Sequence, residues 1–565
     1  MRLIVTKTLE LVEPYGHKFL KDYAILSHTW EDGEVTFQDW KDESIARKKP
    51  GFDKIDSACA QAVKDGLEYL WVDTNCIDKT SSAELSEAIN SMFEWYQRAT
   101  VCYAYLCDVD TWTPDESPNT GFKNSRWFKR GWTLQELLAP KEVVFYARDW
   151  SRIGTRAELH KIVSDITTID TGYLTGERLL EDASISMKMS WLSRRETTRL
   201  EDMAYCMLGI FDINMPLLYG EGPKAFMRLQ EEIIKVSNDQ TIFTWTWTDS
   251  VPSDWVSMLA PCPETFKDSG QFVPVRDDKA MAMTYTMTNA GLSVKLPLIQ
   301  TWSFYGAVLD VQRYTSTGEI DRHWWYSFVP LRGFLGNGYR DGQCIMERAA
   351  FPPCPLSVNS EWELCVPSFF VRNRPLTSSR AVGFESTRPA TNPDACRVLL
   401  VFNNIGPIFN NPTSPPTTSE PNDRLYLLEK FRFFIDIQTH PRGMMDVGTG
   451  MVTLAEGFLG VSGTLVRLGF GTENCCVFFL GQLDNFDSEE RLPFCRVLGS
   501  ETWGKQGDEA RRQNILRDLW HRTRDFRGNK DRDRHISPSG CCVSIGHSGM
   551  IDGLGDIYIA QITYE

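Results

Sequence analysis

Short apolar runs alternate with longer amphipathic stretches along the first 150 residues of the chain. The runs at 23–30, 67–73, 101–106 and 142–146 have the length of strands, and the first of them ends in polar residues. Continuous apolar runs of this kind are typical of strands that are buried on both faces of a parallel sheet. Residues 2–13 predict a further strand with a turn, or a strand pair.

Stretches with helical spacing of apolar residues separate these runs. Residues 51–66 have this spacing and end at Gly66, a residue that favours helix termination. A second helix is predicted from about Ser82 to Arg98, and residues 131–138 predict a short third helix. Strands and helices in alternation predict an α/β domain with a small parallel sheet.

The polar residues that follow the predicted strands mark the expected ligand site. In open parallel sheets, ligands bind in a crevice outside the carboxyl ends of the strands. Here those ends are residues 27–30, residues 73–78 and the segment from 108 onward. We therefore expect the side chains of these three segments to lie close together.

The predicted secondary structure changes at about residue 156 and again at about residue 246. Residues 156–245 are mainly helical in pattern, whereas from about 246 aromatic and β-branched residues alternate with turn residues. We predict a core domain at 1–155, a helical extension at 156–245 and a β-rich domain at 246–565. A segment at 407–423 that is rich in Pro, Asn, Ser and Thr is a candidate for dividing the last domain.

Composition and charge restrict the function. The chain has 565 residues, of which 42% are hydrophobic, so a wholly disordered protein is excluded. A formal net charge of −15 disfavours binding to nucleic acid or to anionic membranes. We expect a cytoplasmic protein, because no apolar stretch approaches the roughly 20 residues of a membrane span and the first apolar run is too short for a signal peptide.

Cysteine spacing and glycine motifs give no sign of a bound cofactor. The 15 cysteines are scattered without a CxxC pair, so we expect reduced thiols and no metal site. The GxxxxGK[ST] motif of phosphate-binding loops does not occur in the sequence. We therefore predict no resident cofactor.

Three segments resemble a known family. They are Ala24–Trp30, Leu70–Lys79 and Arg126–Leu137, and in this order they resemble the heterokaryon incompatibility (HET) domain of filamentous fungi. Residues 199–222 are similar to the helical extension that follows this domain in many family members. The resemblance covers the first 245 residues, and the later half resembles no family that we can name.

Membership of this family implies a role in non-self recognition, fungal innate immunity and programmed cell death. The implied partners are other proteins, including further copies of the chain. HET domains are also remotely similar to TIR domains, which implies a TIR-like or flavodoxin-like sheet. Because some TIR domains cleave NAD, the resemblance implies NAD as a substrate. Two alternatives stay open: a non-catalytic module that signals by oligomerising, and a carbohydrate-binding protein, which the aromatic residues of the later half would suit.

The resemblance also indicates a catalytic residue. TIR-type sites have a glutamate early in the helix that follows the second or third strand, and Glu84 occupies that position. A carboxylate there would stabilise the positive charge that develops on ribose as nicotinamide leaves. The alternative is structural, since Ser81 to Glu84 form an S-x-x-E capping box in which Glu84 would accept a hydrogen bond from the Ser81 backbone N–H.

Five further residues are candidates for binding the substrate. Ser27 and His28 are suited to phosphate contacts or base chemistry, although a structural hydrogen bond is the commoner use of such a histidine. Trp30 is suited to stacking on an adenine or nicotinamide ring, against the alternative of a core position. Asp73 would orient a ribose or a histidine, against the alternative of an Asx-turn or N–H acceptor that shapes the following loop. Arg130 would hold a pyrophosphate or pair with Glu136.

Overall fold

The structure is a computed structural model of the chain. It describes residues 1–13, 22–110, 120–252, 254–275, 285–301, 305–315, 319–320, 326–333, 344–349, 353–356, 368–373, 397–402, 435–441, 444–446, 451–454, 461–470, 474–484, 491–498, 509–522, 534–536, 541–551 and 555–564. The chain divides into two compact units. Unit 1 comprises Met1–Ser237 and Ala260–Gly270, and unit 2 comprises Asn238–Leu259 and Gln271–Glu565.

Unit 1 is built on one sheet. Its strands are β1 (Leu3–Val5), β2 (Leu11–Val12), β3 (Tyr23–His28), β4 (Tyr69–Val72), β5 (Val101–Tyr105), β6 (Val143–Tyr146) and β7 (Arg152–Thr155). In the described part of unit 1 the strand order is β2-β1-β4-β3-β5-β6-β7. The central strands β4, β3, β5 and β6 are parallel to one another, whereas β1, β2 and β7 pair antiparallel.

The prediction of a small parallel sheet is therefore confirmed for the centre and wrong for the edges. Each central strand is buried along nearly all of its length, as its continuous apolar run predicts. Strands β2 and β7 follow short reversals of the chain after β1 and β6, whereas parallel pairing needs a longer crossover connection. The antiparallel pairing of β1 with β4 joins distant parts of the chain. The predicted strand pair in residues 2–13 is confirmed as β1 and β2.

Helices surround this sheet and fill the rest of unit 1. They are α1 (Phe37–Trp40), α2 (Glu43–Ala46), α3 (Gly51–Lys64), α4 (Ser82–Arg98), α5 (Thr120–Asn124), α6 (Thr133–Leu138), α7 (His160–Thr167), α8 (Thr171–Thr175), α9 (Ile185–Leu192), α10 (Asp202–Tyr205) and α11 (Lys224–Val236), with 3₁₀ turns at Arg126–Lys129, Leu180–Asp182 and Pro263–Phe266. The predicted helices at 51–66, 82–98 and 131–138 correspond to α3, α4 and α6. The short helices α1 and α2 were not predicted.

The segment after α10 packs directly on α4. A Cβ atom added at Gly209 would lie 2.0 Å from the Cβ atom of Phe93 in α4. A second close approach lies before α6, where a Cβ atom on Gly131 would be 2.5 Å from a methyl group of Thr197. The helical extension and the sheet domain thus share one interior, and glycine is needed where their backbones meet.

Unit 2 is rich in strands, as predicted. Its strands are β8 (Phe272–Pro274), β9 (Thr286–Thr288), β10 (Gly291–Lys295), β11 (Leu298–Thr301), β12 (Tyr305–Leu309), β13 (Val311–Arg313), β14 (Tyr326–Gly333), β15 (Cys344–Arg348), β16 (Cys354–Leu356), β17 (Ser368–Val371), β18 (Arg397–Phe402), β19 (Ile435–His440), β20 (Met445–Asp446), β21 (Met451–Thr453), β22 (Val461–Phe470), β23 (Asn474–Asp484), β24 (Arg491–Leu498), β25 (Arg534–Ile536), β26 (Cys541–Ile551) and β27 (Gly555–Tyr564). It also contains α12 (Glu509–Arg522) and a 3₁₀ turn at Gln240–Phe243. The segment at 407–423 lies outside the described residues.

Part of the core of unit 2 lies between a sheet and a helix. Strands β19, β22, β23 and β24 form one antiparallel sheet. Leu465 and Phe479 of this sheet are fully buried in a cluster with Leu516 and Leu519 of α12. Apolar burial of this kind, at roughly 25 cal/mol per Å² removed from water, stabilises the pairing of the helix with the sheet. Across the part of the chain that the structure describes, none of the helices has the length and apolar character of a membrane span.

Candidate functional site

The ends of β3 and β4 bring three of the predicted site residues together. The two strands are parallel neighbours with Leu26 opposite Val72, so the residues that follow them reach the same edge of the sheet. The indole nitrogen of Trp30 donates to Oδ2 of Asp73 at 3.0 Å. His28 Nε2 lies 3.9 Å from Asp73 Oδ1. This edge is where the strand pattern predicts a ligand crevice, and it is called the crevice below.

His28 has no hydrogen-bond partner. Its side chain is only 1% exposed, and neither ring nitrogen is bonded to any group in the described chain. Burial, together with the nearby cation of Lys54, lowers the pKa of His28 to about 3, so the ring is neutral at neutral pH. The expectation of a structural hydrogen bond for His28 is wrong. An orphaned buried imidazole is uncommon and costly, which makes this residue the most unusual one at the sheet edge.

Asp73 is an ionised carboxylate held by side chains. Besides Trp30, Lys79 donates to its Oδ2 atom at 3.4 Å. Burial raises the pKa of Asp73, but the charge and hydrogen bond of Lys79 outweigh burial and bring this pKa below its usual value. No backbone N–H donates to this carboxylate among the described residues, so the Asx-turn interpretation of Asp73 is not supported.

Trp30 offers an accessible aromatic ring beside this carboxylate. The residue is 43% exposed, so the alternative of a core tryptophan is wrong. The ammonium group of Lys79 lies 3.5 Å from the centroid of the indole ring, within the range of a cation–π contact. A planar ligand group that stacked on this face of the ring would have to displace Lys79.

Two residues that the sequence interpretation missed complete the cluster. Glu34 Oε2 lies 3.8 Å from His28 Nε2 and has no hydrogen bond within the described part of the chain. The other oxygen, Oε1, accepts from Lys54 Nζ at 2.5 Å and from the Glu31 backbone N–H at 2.9 Å. Glu34 belongs to a loop and Lys54 to α3, so neither lies at a predicted strand end. The contact between them depends on how α3 packs, which no local pattern reveals.

Ser27 takes part in a separate buried network. Successive side chains of a strand point to opposite faces of a sheet, so Ser27 and His28 point apart. The Ser27 hydroxyl donates to Glu136 and accepts from Trp127 Nε1 at 2.8 Å. Burial and the neighbouring charge of Asp73 raise the pKa of Glu136 to about 8, against the opposing effect of the Ser27 hydrogen bond. With both hydrogen-bonding roles filled, the Ser27 hydroxyl braces the strand end instead of facing the crevice.

Arg130 lies beside both the crevice and the buried network. It is half-buried, and its charge lowers the pKa of His28 and of Glu136. The guanidinium group makes no hydrogen bond or ion pair with any residue that the structure describes. The predicted alternative of an Arg130–Glu136 ion pair is therefore not observed. This free guanidinium is suited to holding an anionic ligand group.

Glu84 is held at the start of α4 in an unexpected way. The Ser81 hydroxyl accepts from the Glu84 backbone N–H at 3.3 Å, which is one half of the predicted capping box. The Glu84 carboxylate does not return to Ser81, so the other half is wrong. It accepts from the Asp78 backbone N–H at 2.8 Å and from Arg2, whose Nη2 atom lies 3.0 Å from Oε2. Burial raises the pKa of Glu84, but Arg2 and Asp78 N–H lower it below its usual value.

The helical extension also reaches the crevice. Burial lowers the pKa of Lys79, and the charges of Asp73, directly after β4, and Asp202, at the start of α10, oppose this effect. Asp202 accepts from the Tyr219 hydroxyl at 2.9 Å. Glu201 accepts from the backbone N–H groups of Gly220 and Gly222 at 2.7 and 3.0 Å. Hydrogen bonds thus hold residues 201–222 together, and the charge of Asp202 in this segment acts on Lys79.

Comparison with known proteins identifies the part of the chain that contains this crevice. Residues 23–117 match the family model described as heterokaryon incompatibility protein (HET). The chain is 50% identical over 220 residues to vegetative incompatibility protein HET-E-1 of Podospora anserina. This match covers 38% of the chain and 16% of the relative. No solved structure matches the chain.

Proposed function

We propose that this chain, which contains a heterokaryon incompatibility domain, acts in heterokaryon incompatibility and triggers programmed cell death after non-self recognition. The description of the matching family and the name of the Podospora relative support this role. We assign the effector step to unit 1 and the recognition of other proteins to unit 2, and we place the protein in the cytoplasm. Because the match covers 16% of the relative, the role of the chain is inferred from its domain.

We further propose that unit 1 has a TIR-like, flavodoxin-like core that hydrolyses NAD. The parallel strands follow the order β4-β3-β5-β6. Numbered along the chain within this set, the order is 2-1-3-4, which begins the strand order of flavodoxin-like sheets. In that fold the ligand lies at the carboxyl ends of the strands, and this is where His28, Trp30 and Asp73 meet.

The convergence of an exposed indole, an ionised carboxylate and an unpaired guanidinium carries the proposal. Trp30 would stack on a planar base once Lys79 moves, and Arg130 would bind the pyrophosphate. Asp73 would accept hydrogen bonds from ribose hydroxyls through Oδ1, because Oδ2 is already bonded to Trp30 and Lys79. A ligand with a base, a diphosphate and a ribose satisfies all three groups.

The reaction breaks the bond between ribose C1′ and the nicotinamide nitrogen. The electron pair of this bond leaves with nicotinamide, water adds to C1′, and a proton is released with ADP-ribose. The positive charge on the ribose in the transition state requires an ionised carboxylate nearby. Glu84 is our candidate for this role, since the interaction with Arg2 keeps its carboxylate ionised.

The rate of nicotinamide release from NAD tests this proposal. We expect the full-length protein to release nicotinamide from NAD and Glu84→Gln to reduce the rate at least tenfold, about 1.4 kcal/mol in the barrier. Gln preserves the shape of the side chain and removes its charge. The matched control is Glu94→Gln on the same helix, where Glu94 pairs with Arg98 and is half exposed. This control should retain the wild-type rate.

A non-catalytic function is the second candidate, and the contacts of Glu84 favour it. Both of its oxygens are already bonded, to Arg2 and to the Asp78 N–H, as in a residue that fixes a loop. A protein that signals by self-association would kill cells without releasing nicotinamide. If the wild-type chain kills cells while nicotinamide stays at the level of buffer, the hydrolase proposal is overturned and the oligomerising module is favoured.

A further inference from the structure

We infer that His28, Glu34 and Asp73 form a subsite that binds a vicinal diol of a neutral sugar. This inference rests on the proposed function, where the diol belongs to a ribose. It also adds Glu34 and His28 to the residues that select the ligand. The argument starts from two buried polar atoms without a hydrogen-bond partner, His28 Nε2 and Glu34 Oε2. Asp73 Oδ1 lies beside them and accepts no hydrogen bond within the described residues, although the Asp73 side chain is partly exposed.

The three atoms are close together but do not bond to one another. His28 Nε2 lies 3.8 Å from Glu34 Oε2 and 3.9 Å from Asp73 Oδ1. Both separations exceed the range of a hydrogen bond. His28 is buried and Glu34 is only 10% exposed, so bulk water does not satisfy these groups. Buried polar atoms normally have a partner, so two unsatisfied ones beside the partly exposed carboxylate of Asp73 point to a missing ligand group.

The rest of each side chain is fixed in place. Lys54 and the Glu31 N–H occupy Glu34 Oε1, and Trp30 and Lys79 occupy Asp73 Oδ2. These contacts leave each carboxylate with one free oxygen near His28. The two carboxylates are therefore held in place before the ligand arrives, which lowers the entropic cost of binding, while the ligand must open the side chains that cover His28 Nε2 and Glu34 Oε2.

The charges around the three atoms favour a neutral ligand. Lys54 and Lys79 balance the two carboxylates, and the buried imidazole is uncharged. An added anion would face two carboxylate oxygens, and an added cation would disturb two ion pairs that are already balanced.

Hydroxyl groups match this set of atoms. A hydroxyl donates one hydrogen bond and accepts others, so it can donate to a carboxylate oxygen while accepting from an imidazole N–H. Two carboxylate oxygens near one imidazole nitrogen offer acceptors for two adjacent hydroxyls. A sugar diol has this pattern, whereas a phosphate has no hydrogen-bond donor for the carboxylates when it is fully ionised.

Calorimetric titration of the full-length protein with ADP-ribose and with ADP tests the subsite, because ADP lacks the second ribose. We expect ADP-ribose to bind at least tenfold more tightly than ADP. Glu34→Gln should weaken ADP-ribose binding about fivefold to tenfold and change ADP binding by less than twofold. The control is Glu43→Gln, a surface position paired with Arg47, which should leave both affinities unchanged.

A second variant controls for the buried Lys54, which loses its ion-pair partner in Glu34→Gln. Glu34→Gln combined with Lys54→Met removes both members of the buried ion pair, and thermal unfolding shows whether each variant is folded. Loss of the ADP-ribose preference in both variants supports the subsite. Equal affinity of the wild-type protein for ADP-ribose and ADP, or binding of neither, overturns it and indicates that water alone fills the gap.

Failure of the sugar subsite can be distinguished from failure of the hydrolase proposal. If ADP-ribose is preferred through Glu34 but no nicotinamide is released from NAD, the subsite stands and hydrolysis fails. If nicotinamide is released and Glu34→Gln leaves the KM for NAD and the ADP-ribose preference unchanged, hydrolysis stands and the subsite is overturned.

Discussion

Gly209→Ala is expected to lower the free energy of unfolding of unit 1 by at least about 3 kcal/mol. Adding atoms to a well-packed interior usually costs about 1–3 kcal/mol, and a rigid contact such as this one gives the largest losses. The new methyl carbon would lie 2.0 Å from Phe93 Cβ and 2.5 Å from Phe93 Cγ. Phe93 Cβ is fixed to the backbone of α4, so a change of rotamer does not relieve the clash. The segment that follows α10 would have to separate from α4.

Urea unfolding of the full-length protein, followed by the fluorescence of its tryptophans, measures this effect. Gly176→Ala is the control, since Gly176 has φ +81° and no atom within 4 Å of the added Cβ. In Gly176→Ala the loss in free energy of unfolding comes from backbone strain alone and is about 1 kcal/mol. Equal losses at the two positions would show that the contact between residue 209 and α4 is not rigid.

This contact shows why the sequence predicts some parts of unit 1 and not others. The central strands are evident because each is a continuous apolar run, and α4 begins after Ser81, which caps it as predicted. The pairing direction of β7 and the close approach at Gly209 depend on distant parts of the chain. A glycine in a helical segment looks the same whether it faces solvent or a phenylalanine of another helix.

In the candidate site, too, some residues could be predicted from local sequence and others depend on contacts between distant parts of the chain. His28, Trp30 and Asp73 could be predicted because strand ends in a parallel sheet meet at one edge. Glu34 and Lys54 could not, because their ion pair joins a loop to a helix that begins 17 residues later, at Gly51. The partner of Glu84 is Arg2, which lies 82 residues away in sequence, so a local capping motif was the simpler but incomplete explanation.

Glu136→Gln is expected to stabilise the protein increasingly as the pH rises. The folded-state pKa of Glu136 is raised to about 8, against 4.5 for an exposed glutamate. Between these values the folded chain keeps a proton that the unfolded chain releases. Wild-type stability therefore falls by about 1.4 kcal/mol for each pH unit above 4.5, up to pH 8. Gln resembles the protonated carboxyl group and still accepts from the Ser27 hydroxyl, so it removes this dependence.

His28 produces the opposite dependence and hides part of this effect in the wild-type protein. Its folded-state pKa is about 3, against 6.5 in an exposed histidine, so stability falls as the pH drops below 6.5. Between pH 4.5 and 6.5 the two contributions cancel. In Glu136→Gln only the contribution of His28 remains. Between pH 6.5 and 4.5 the free energy of unfolding of this variant should therefore fall more steeply than that of the wild-type protein.

The difference in unfolding free energy between Glu136→Gln and wild type, measured at pH 5, 6.5 and 8, tests the argument. We expect it to grow by about 3–4 kcal/mol from pH 5 to pH 8, from the slope of about 1.4 kcal/mol per unit. For Glu94→Gln, an exposed position on α4, the difference should be small and independent of pH. A flat difference for Glu136→Gln would mean that the carboxyl group is already ionised in the folded state. The Ser27 hydroxyl would then hold a buried charge, and the free guanidinium of Arg130 would be its counterion instead of a ligand-binding group.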